Sequence, residues 1–260
     1  MKKTLFALLV LSLSFGLISC EKNKKFNEAT EILATSFVNL GKFQQKGTGF
    51  APDTMCYDGK DVLVKLAVEK DVAPIPNFSF DKWIKPYVVS TLFAGSINTY
   101  VLSRTLETKQ GGNPGEDYFK LMEESGAQLE IAVKTPAGEK NYVITPEEAK
   151  KLLNLPQEER TMCAASSAFI AQIKDFKTNQ VVKDVTIEDN VCCIDLIIDE
   201  KFFVSKLETM PAILSYVILN NLDLKINDTV IPKEEVQFKW EIAKHSLLND
   251  EQENKGKNMA

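Results

Sequence analysis

Asp58-Gly59-Lys60-Asp61-Val62-Leu63-Val64-Lys65-Leu66-Ala67-Val68-Glu69 is a turn followed by a nearly continuous apolar run. Asp189-Asn190-Val191-Cys192-Cys193-Ile194-Asp195-Leu196-Ile197-Ile198-Asp199 repeats that arrangement further along the chain. Asp, Asn and Gly tolerate the positive φ that tight hairpin turns require, so each stretch predicts a β-hairpin. Met55-Cys56-Tyr57 supplies the first partner strand and Val185-Thr186-Ile187 the second. The apolar runs are too short for helices, and their lack of alternation predicts strands covered on both faces.

Helical patterns surround both hairpins. Phe26 to Gln45 carries Ala29, Ile32, Leu33, Phe37, Leu40 and Phe43 at helical spacing. A loop with Pro74 and Pro76 leads to a long helix through Val89 and Val101. Pro114-Gly115-Glu116 opens a short helix, since proline suits a first helical position. Leu129 to Lys134 and Asn141 to Ile144 read as paired strands, and Thr145-Pro146-Glu147-Glu148 is a capping box opening a helix to Leu153. Pro156 opens a helix bearing Met162, Ser166, Phe169, Ile170, Ile173 and Phe176, and another runs through Phe203, Leu207, Leu214 and Val217. Leu222 to Ile226 is a strand. Val236, Phe238, Trp240 and Ile242 alternate as a strand would, although Val236, Trp240, Ala243 and Leu247 also fit a helix; the strand is the preferred reading.

The expected fold is therefore α+β, with a helix-hairpin-helix-hairpin unit repeated twice and antiparallel sheets covered by helices. The first half spans 27–155 and the second 156–246. Pro86 with Ser90 is matched to Pro211 with Ser215, and Val143-Ile144-Thr145-Pro146 to Val230-Ile231-Pro232-Lys233. An extra segment is expected near 95–127. Duplication places Val64 and Ile194 on equivalent faces and makes the groove between the halves the first place to look for a binding site.

The ends are different in kind. Met1-Lys2-Lys3 is followed by an uncharged, largely apolar run from Thr4 to Ser19, sized like the apolar core of a signal peptide. It ends Leu17-Ile18-Ser19-Cys20, which resembles the lipobox of bacterial lipoproteins. That resemblance implies a signal peptide over 1–19, lipidation of Cys20 with diacylglyceryl and acyl chains such as palmitate, and a lipidated tether over 20–26. In enterobacterial members an Asp after the cysteine retains the protein in the inner membrane, so Glu21 favours the outer membrane. Asn249 to Lys255 is unbroken polar chain, and 247–260 is expected to be a disordered tail.

Loss of the signal peptide removes two lysines from 31 basic residues against 36 acidic ones, leaving about −7. Nucleic acid is thereby disfavoured as a partner, because it demands a basic surface. Pro86 to Ser103 is uncharged, but its six Ser, Thr and Asn residues suit a helix buried within the protein better than one in lipid.

Chemistry-bearing residues are sparse. His245 is the single histidine, beside the polar tail, and is expected to be exposed and dispensable; multi-histidine metal sites are ruled out. Besides Cys20 there are Cys56, Cys163, Cys192 and Cys193, without CxxC spacing. They read first as small core hydrophobes, with a disulfide from Cys163 to a hairpin cysteine as the alternative. Cys192 and Cys193 must point to opposite faces of one strand. Gly111-Gly112-Asn113-Pro114-Gly115 lacks the Lys-Ser/Thr of a phosphate-binding loop and is a connector. Asp53-Thr54-Met55 and Asp228-Thr229-Val230 resemble the Asp-Ser/Thr-apolar sites glycosylated in Bacteroidetes envelope proteins. No catalytic, cofactor-binding or metal residue is assigned.

The expected function is that of an envelope lipoprotein with a non-catalytic binding or scaffolding role toward a protein or small molecule, held to the membrane by its lipid. The alternatives are a periplasmic carrier or chaperone with an apolar pocket lined by Trp83, Phe93 and Tyr100, and a carboxylate-based hydrolase with two facing acids.

Overall fold

The computed structural model describes residues 23–39, 50–68, 77–93, 96–136 and 138–257. Strand β1 (Phe50–Tyr57) pairs antiparallel with β2 (Val62–Val68) around Gly59, whose φ is +98°. The Asp58 carboxylate accepts the backbone N–H groups of Lys60 and Asp61, both at 2.8 Å, which fixes the turn. Three helices follow, α2 (Ile84–Leu92), α3 (Ser96–Leu106) and α4 (Pro114–Glu124), after an α1 that covers 23–39. Strands β3 (Leu129–Thr135) and β4 (Gly138–Ile144) complete the first sheet, and α5 (Pro146–Leu153) closes the half. Thr145 caps α5 as its sequence predicts, accepting the Glu148 N–H at 3.2 Å.

The second half runs α6 (Gln157–Ser167), α7 (Phe169–Thr178), β5 (Val182–Glu188), β6 (Val191–Leu196), α8 (Glu200–Ser205), a 3-10 turn at Leu207–Thr209, α9 (Pro211–Leu219), β7 (Asp223–Ile226), β8 (Thr229–Ile231) and α10 (Lys233–Lys257). Asp189 and Asn190 both have positive φ, +50° and +63°, as a two-residue primed turn requires.

The fold is α+β, with two four-stranded sheets in the orders β1-β2-β3-β4 and β5-β6-β7-β8. The sheets are mixed rather than antiparallel throughout. Their outer pairs are antiparallel, but β2 runs parallel to β3 and β6 parallel to β7. Helical crossovers join those central strands, and a crossover returns the chain in its original direction. Helices do not cover both faces either. Val62, Val64 and Leu66 are buried while Leu63 and Ala67 are half-buried and Lys65 is exposed, so the other face of β2 is only partly shielded.

The registers of the two sheets correspond. Val62 lies opposite Leu129 and Val64 opposite Ile131; Cys192 lies opposite Leu224 and Ile194 opposite Ile226. Val64 and Ile194 are both buried at the centre. Each first hairpin carries an irregularity at the matching place, between Pro52 and Thr54 and between Val182 and Asp184. Gly126 after α4 and Asn221 after α9 both adopt positive φ, and the next residue donates its N–H to Met122 O (3.1 Å) or Val217 O (2.9 Å). By this register α4 is the counterpart of α9. Pro114 and Pro211 open those two helices, so the expected match of Pro86 with Pro211 is replaced by Pro114 with Pro211.

Other expectations change. In place of the single helix expected through Val89 and Val101, the described residues hold two, Ile84–Leu92 and Ser96–Leu106. The segment from Val236 to Ile242 is helical: Val236, Trp240 and Ala243 are buried in a stripe, whereas Phe238 is 66% exposed and Ile242 is also outside. The polar run expected to be disordered over 247–260 continues this helix to Lys257; 258–260 lie outside the described residues. Residues 23–26 of the expected tether already belong to α1, because Phe26 is fully buried against Tyr57 and Tyr118, with ring centroids 5.0 and 5.5 Å away. Leu40, Phe43, Pro74 and Pro76, the expected signal peptide over 1–19 and Cys20 lie outside the described residues.

The buried apolar residues of both halves form one cluster, from Phe26 and Val64 to Ile194 and Trp240. The halves meet where α2 packs on α6 and where an irregular segment ahead of α2 crosses to the second sheet.

Candidate functional site

That segment, Asn77 to Trp83, builds the junction. Its anchor is aromatic. Phe78 stacks on Tyr216 of α9 at 4.6 Å between centroids, and Tyr216 stacks on Phe169 of α7 at 4.4 Å. Phe80 and Trp83 meet Phe78 edge-on, at 5.1 and 6.2 Å. Polar groups fix the backbone around these rings. The Asn77 amide donates to Ile187 O in β5 (3.2 Å), the Ser79 N–H donates to the Tyr216 hydroxyl (3.0 Å), and the Trp83 indole N–H donates to Ser79 O (3.1 Å). From the first sheet, the Tyr142 hydroxyl donates to Asp81 Oδ1 at 2.8 Å. One short segment is thus held by both sheets.

Beside it lies a cleft of about 530 Å³ between Asn77, Asp81 and Lys82 on one side and the β5–β6 turn with α9 on the other. Ile187, Tyr216 and Leu222 form its buried apolar floor. Its volume falls within the ~300–1,000 Å³ of small-ligand sites. Asp189 and Asn190 from the turn and Asn220 from the end of α9 form the polar wall. Among the described residues the side chains of Lys82, Asp189 and Asn190 make no hydrogen bond or ion pair. Burial pushes the Tyr216 hydroxyl well above the usual tyrosine range, so it keeps its proton. The cleft is lined by residues from both halves of the chain, but the segment 77–82 carries no motif that singles out Asn77 or Asp81. The turn pair Asp189-Asn190 was visible as a turn and not as a cleft wall.

The other anticipated groups do not assemble a site. Trp83 is buried at the junction, Phe93 packs on Tyr118 and Phe119 (6.1 and 5.4 Å), and Tyr100 is 63% exposed, so these three line no common pocket among the described residues. All four described cysteines are free. Cys192 is buried and Cys193 half-buried, on opposite faces as their adjacency demands; Cys163 is buried and Cys56 exposed. Burial pushes the thiols of Cys163 and Cys192 up to about 11 and about 12. The expected alternative of a disulfide from Cys163 to the hairpin is therefore not formed. His245 lies exposed on α10. Among the described residues no cluster of His, Cys, Asp and Glu could hold a metal ion, and no helix is long and apolar enough to cross a membrane. Thr229 is exposed on the β7–β8 hairpin, and Thr54 is half-buried in β1.

Comparison with protein-family models, with curated proteins and with solved structures gives no match for this chain.

Proposed function

We propose that this chain is a lipid-anchored binding protein of the bacterial cell envelope, held through Cys20 and non-catalytic. The observation that carries the binding role is the junction cleft, where unpaired polar side chains surround an apolar floor. The anchor rests on the sequence alone, on Leu17-Ile18-Ser19-Cys20 after an uncharged run. Each buried methylene of an acyl chain adds about 0.8 kcal/mol, so two or three chains anchor stably where one holds only marginally. By resemblance to enterobacterial lipoproteins, in which an Asp at this position retains the protein in the inner membrane, Glu21 favours the outer membrane. The matching registers, hairpin irregularities and helix ends support descent of the two halves from one duplicated unit, with the cleft arising where the copies meet.

Metabolic labelling with a palmitate analogue tests the anchor. The wild type should incorporate label and partition with membranes, and Cys20→Ala should do neither. Equal labelling of the variant would refute lipidation at this residue.

A further inference from the structure

We infer that the start of α1 and the α3–α4 connection form the face that lies against the phospholipid headgroups, with the second half standing off the bilayer; this rests on the proposed anchoring through Cys20. Chain length carries the argument. Only Glu21 and Lys22 separate Cys20 from Asn23, where α1 begins. Three residues of chain span at most about 11 Å. Helix α1 cannot swing away from the body to lengthen that reach. Phe26, in its first turn, is fully buried with its ring against Tyr57 of β1 and Tyr118 of α4, and the Thr30 hydroxyl lies 3.0 Å from the Tyr118 hydroxyl. Even with the turn before Phe26 unwound, six residues reach only about 21 Å. A compact chain of this size is ~45 Å across. A lipid on Cys20 therefore holds one end of the molecule at the membrane and keeps the other away from it.

The neighbours of Asn23 define that end. Lys25 pairs with Glu107 at 3.0 Å, which brings the end of α3 and the exposed connection from Lys109 to Asn113 beside the start of α1. Lys24, Lys25, Lys109 and Lys120 equal the acidic side chains beside them in number. The acidic excess of the mature chain thus lies elsewhere, and this end meets lipid phosphates without the repulsion that the rest of the surface would suffer. The first sheet runs from β1, beside Phe26, to β4, whose Tyr142 holds Asp81 at the junction. Three strand spacings, about 14 Å, separate the anchored edge from the junction. The second half joins at that far edge, where α2 packs on α6.

Lysine footprinting tests this on the full lipidated chain bound to the outer surface of phosphatidylcholine vesicles. The comparison is a chain with a Gly/Ser insertion of about 20 residues after Lys22, which adds about 25 Å of reach. A water-soluble amine reagent is applied briefly and modification is read by mass spectrometry. Lys24 and Lys109 should react about threefold more slowly in the chain of native length than in the lengthened one. Lys201 and Lys233, exposed on the second half, should react alike in both, with far-ultraviolet circular dichroism unchanged. Equal rates at Lys24 and Lys109 in the two chains, with lipid on Cys20 confirmed by mass, would overturn the orientation and leave the anchor. Slower reaction of Lys201 or Lys233 in the native-length chain would put the second half against the bilayer and overturn the inference. A chain recovered without lipid would overturn the anchor, and the orientation with it.

Discussion

Replacing Phe78 by alanine should destabilise the whole chain. The ring is 5% exposed and lies between elements of both halves: stacked on Tyr216 at 4.6 Å and parallel to Phe169 at 5.8 Å, with Phe80 and Trp83 edge-on. Truncation of a buried phenylalanine costs about 3–5 kcal/mol, depending on how far the neighbours collapse into the space. Collapse is restricted here, because Ser79 is tied to Tyr216 and Asn77 to Ile187 O. The upper part of that range is expected. With a urea slope of about 3 kcal/mol/M, the midpoint should fall by about 1.3–1.7 M. The two tryptophans make the assay informative, since Trp83 reports the junction and Trp240 reports α10. Because one core spans both halves, fluorescence and far-ultraviolet circular dichroism should give a single coincident transition in the wild type. Tyr216→Phe, which keeps the stack and loses only the acceptor for Ser79, should cost about 1–3 kcal/mol. A midpoint shift below about 0.3 M for Phe78→Ala, or separate transitions for the two probes in the wild type, would refute a junction clamped by this ring.

Two further outcomes are expected. Thr145→Ala removes the cap of α5 and should lower stability by about 1 kcal/mol, read as a melting shift of a few degrees; no shift would mean the cap is redundant. In Cys20→Ser protein, a thiol reagent at pH 8 should modify Cys56 at once, Cys193 more slowly, and Cys163 and Cys192 only after unfolding. The last two also confer a pH dependence. Their folded values, about 11 and about 12, exceed the ordinary 9.0, so the unfolded chain loses these protons first. Their stabilisation is whole below about pH 9 and declines above it, at about 1.4 kcal/mol per unit for each thiol. The stability gap between wild type and Cys192→Ala should accordingly narrow between pH 8 and pH 10, and a constant gap would contradict the burial of this thiol.

The hairpins and the capped α5 were legible because their determinants are local: a turn pair able to take positive φ, a run of apolar residues, a Thr-Pro-Glu-Glu start. The C-terminal helix was misread because Phe238 and Ile242 are apolar yet exposed, which gives Val236 to Ile242 a period of two by accident. Strand direction was equally hidden. Nothing in Val62 to Val68 tells whether its second neighbour arrives parallel or antiparallel; the length and path of the crossover decide that. The cleft is the least local feature. Asn77 and Ile187, 110 residues apart, meet only once both sheets exist, and no spacing in the sequence encodes that encounter.

The parallel central pairs also order the assembly of the molecule in time. Pairing β2 with β3 brings together Val62 and Leu129, 67 residues apart, whereas β6 and β7 join Cys192 and Leu224, only 32 apart. Closing the longer loop costs about 0.6 kcal/mol more, before counting the three helices that must be laid down inside it. Contacts distant in sequence slow folding as well. The second sheet is therefore the cheaper nucleus, although it belongs to the part of the chain that emerges last from synthesis. Phe78, in turn, gains its stacked position only once Tyr216 and Phe169 are in place to receive it.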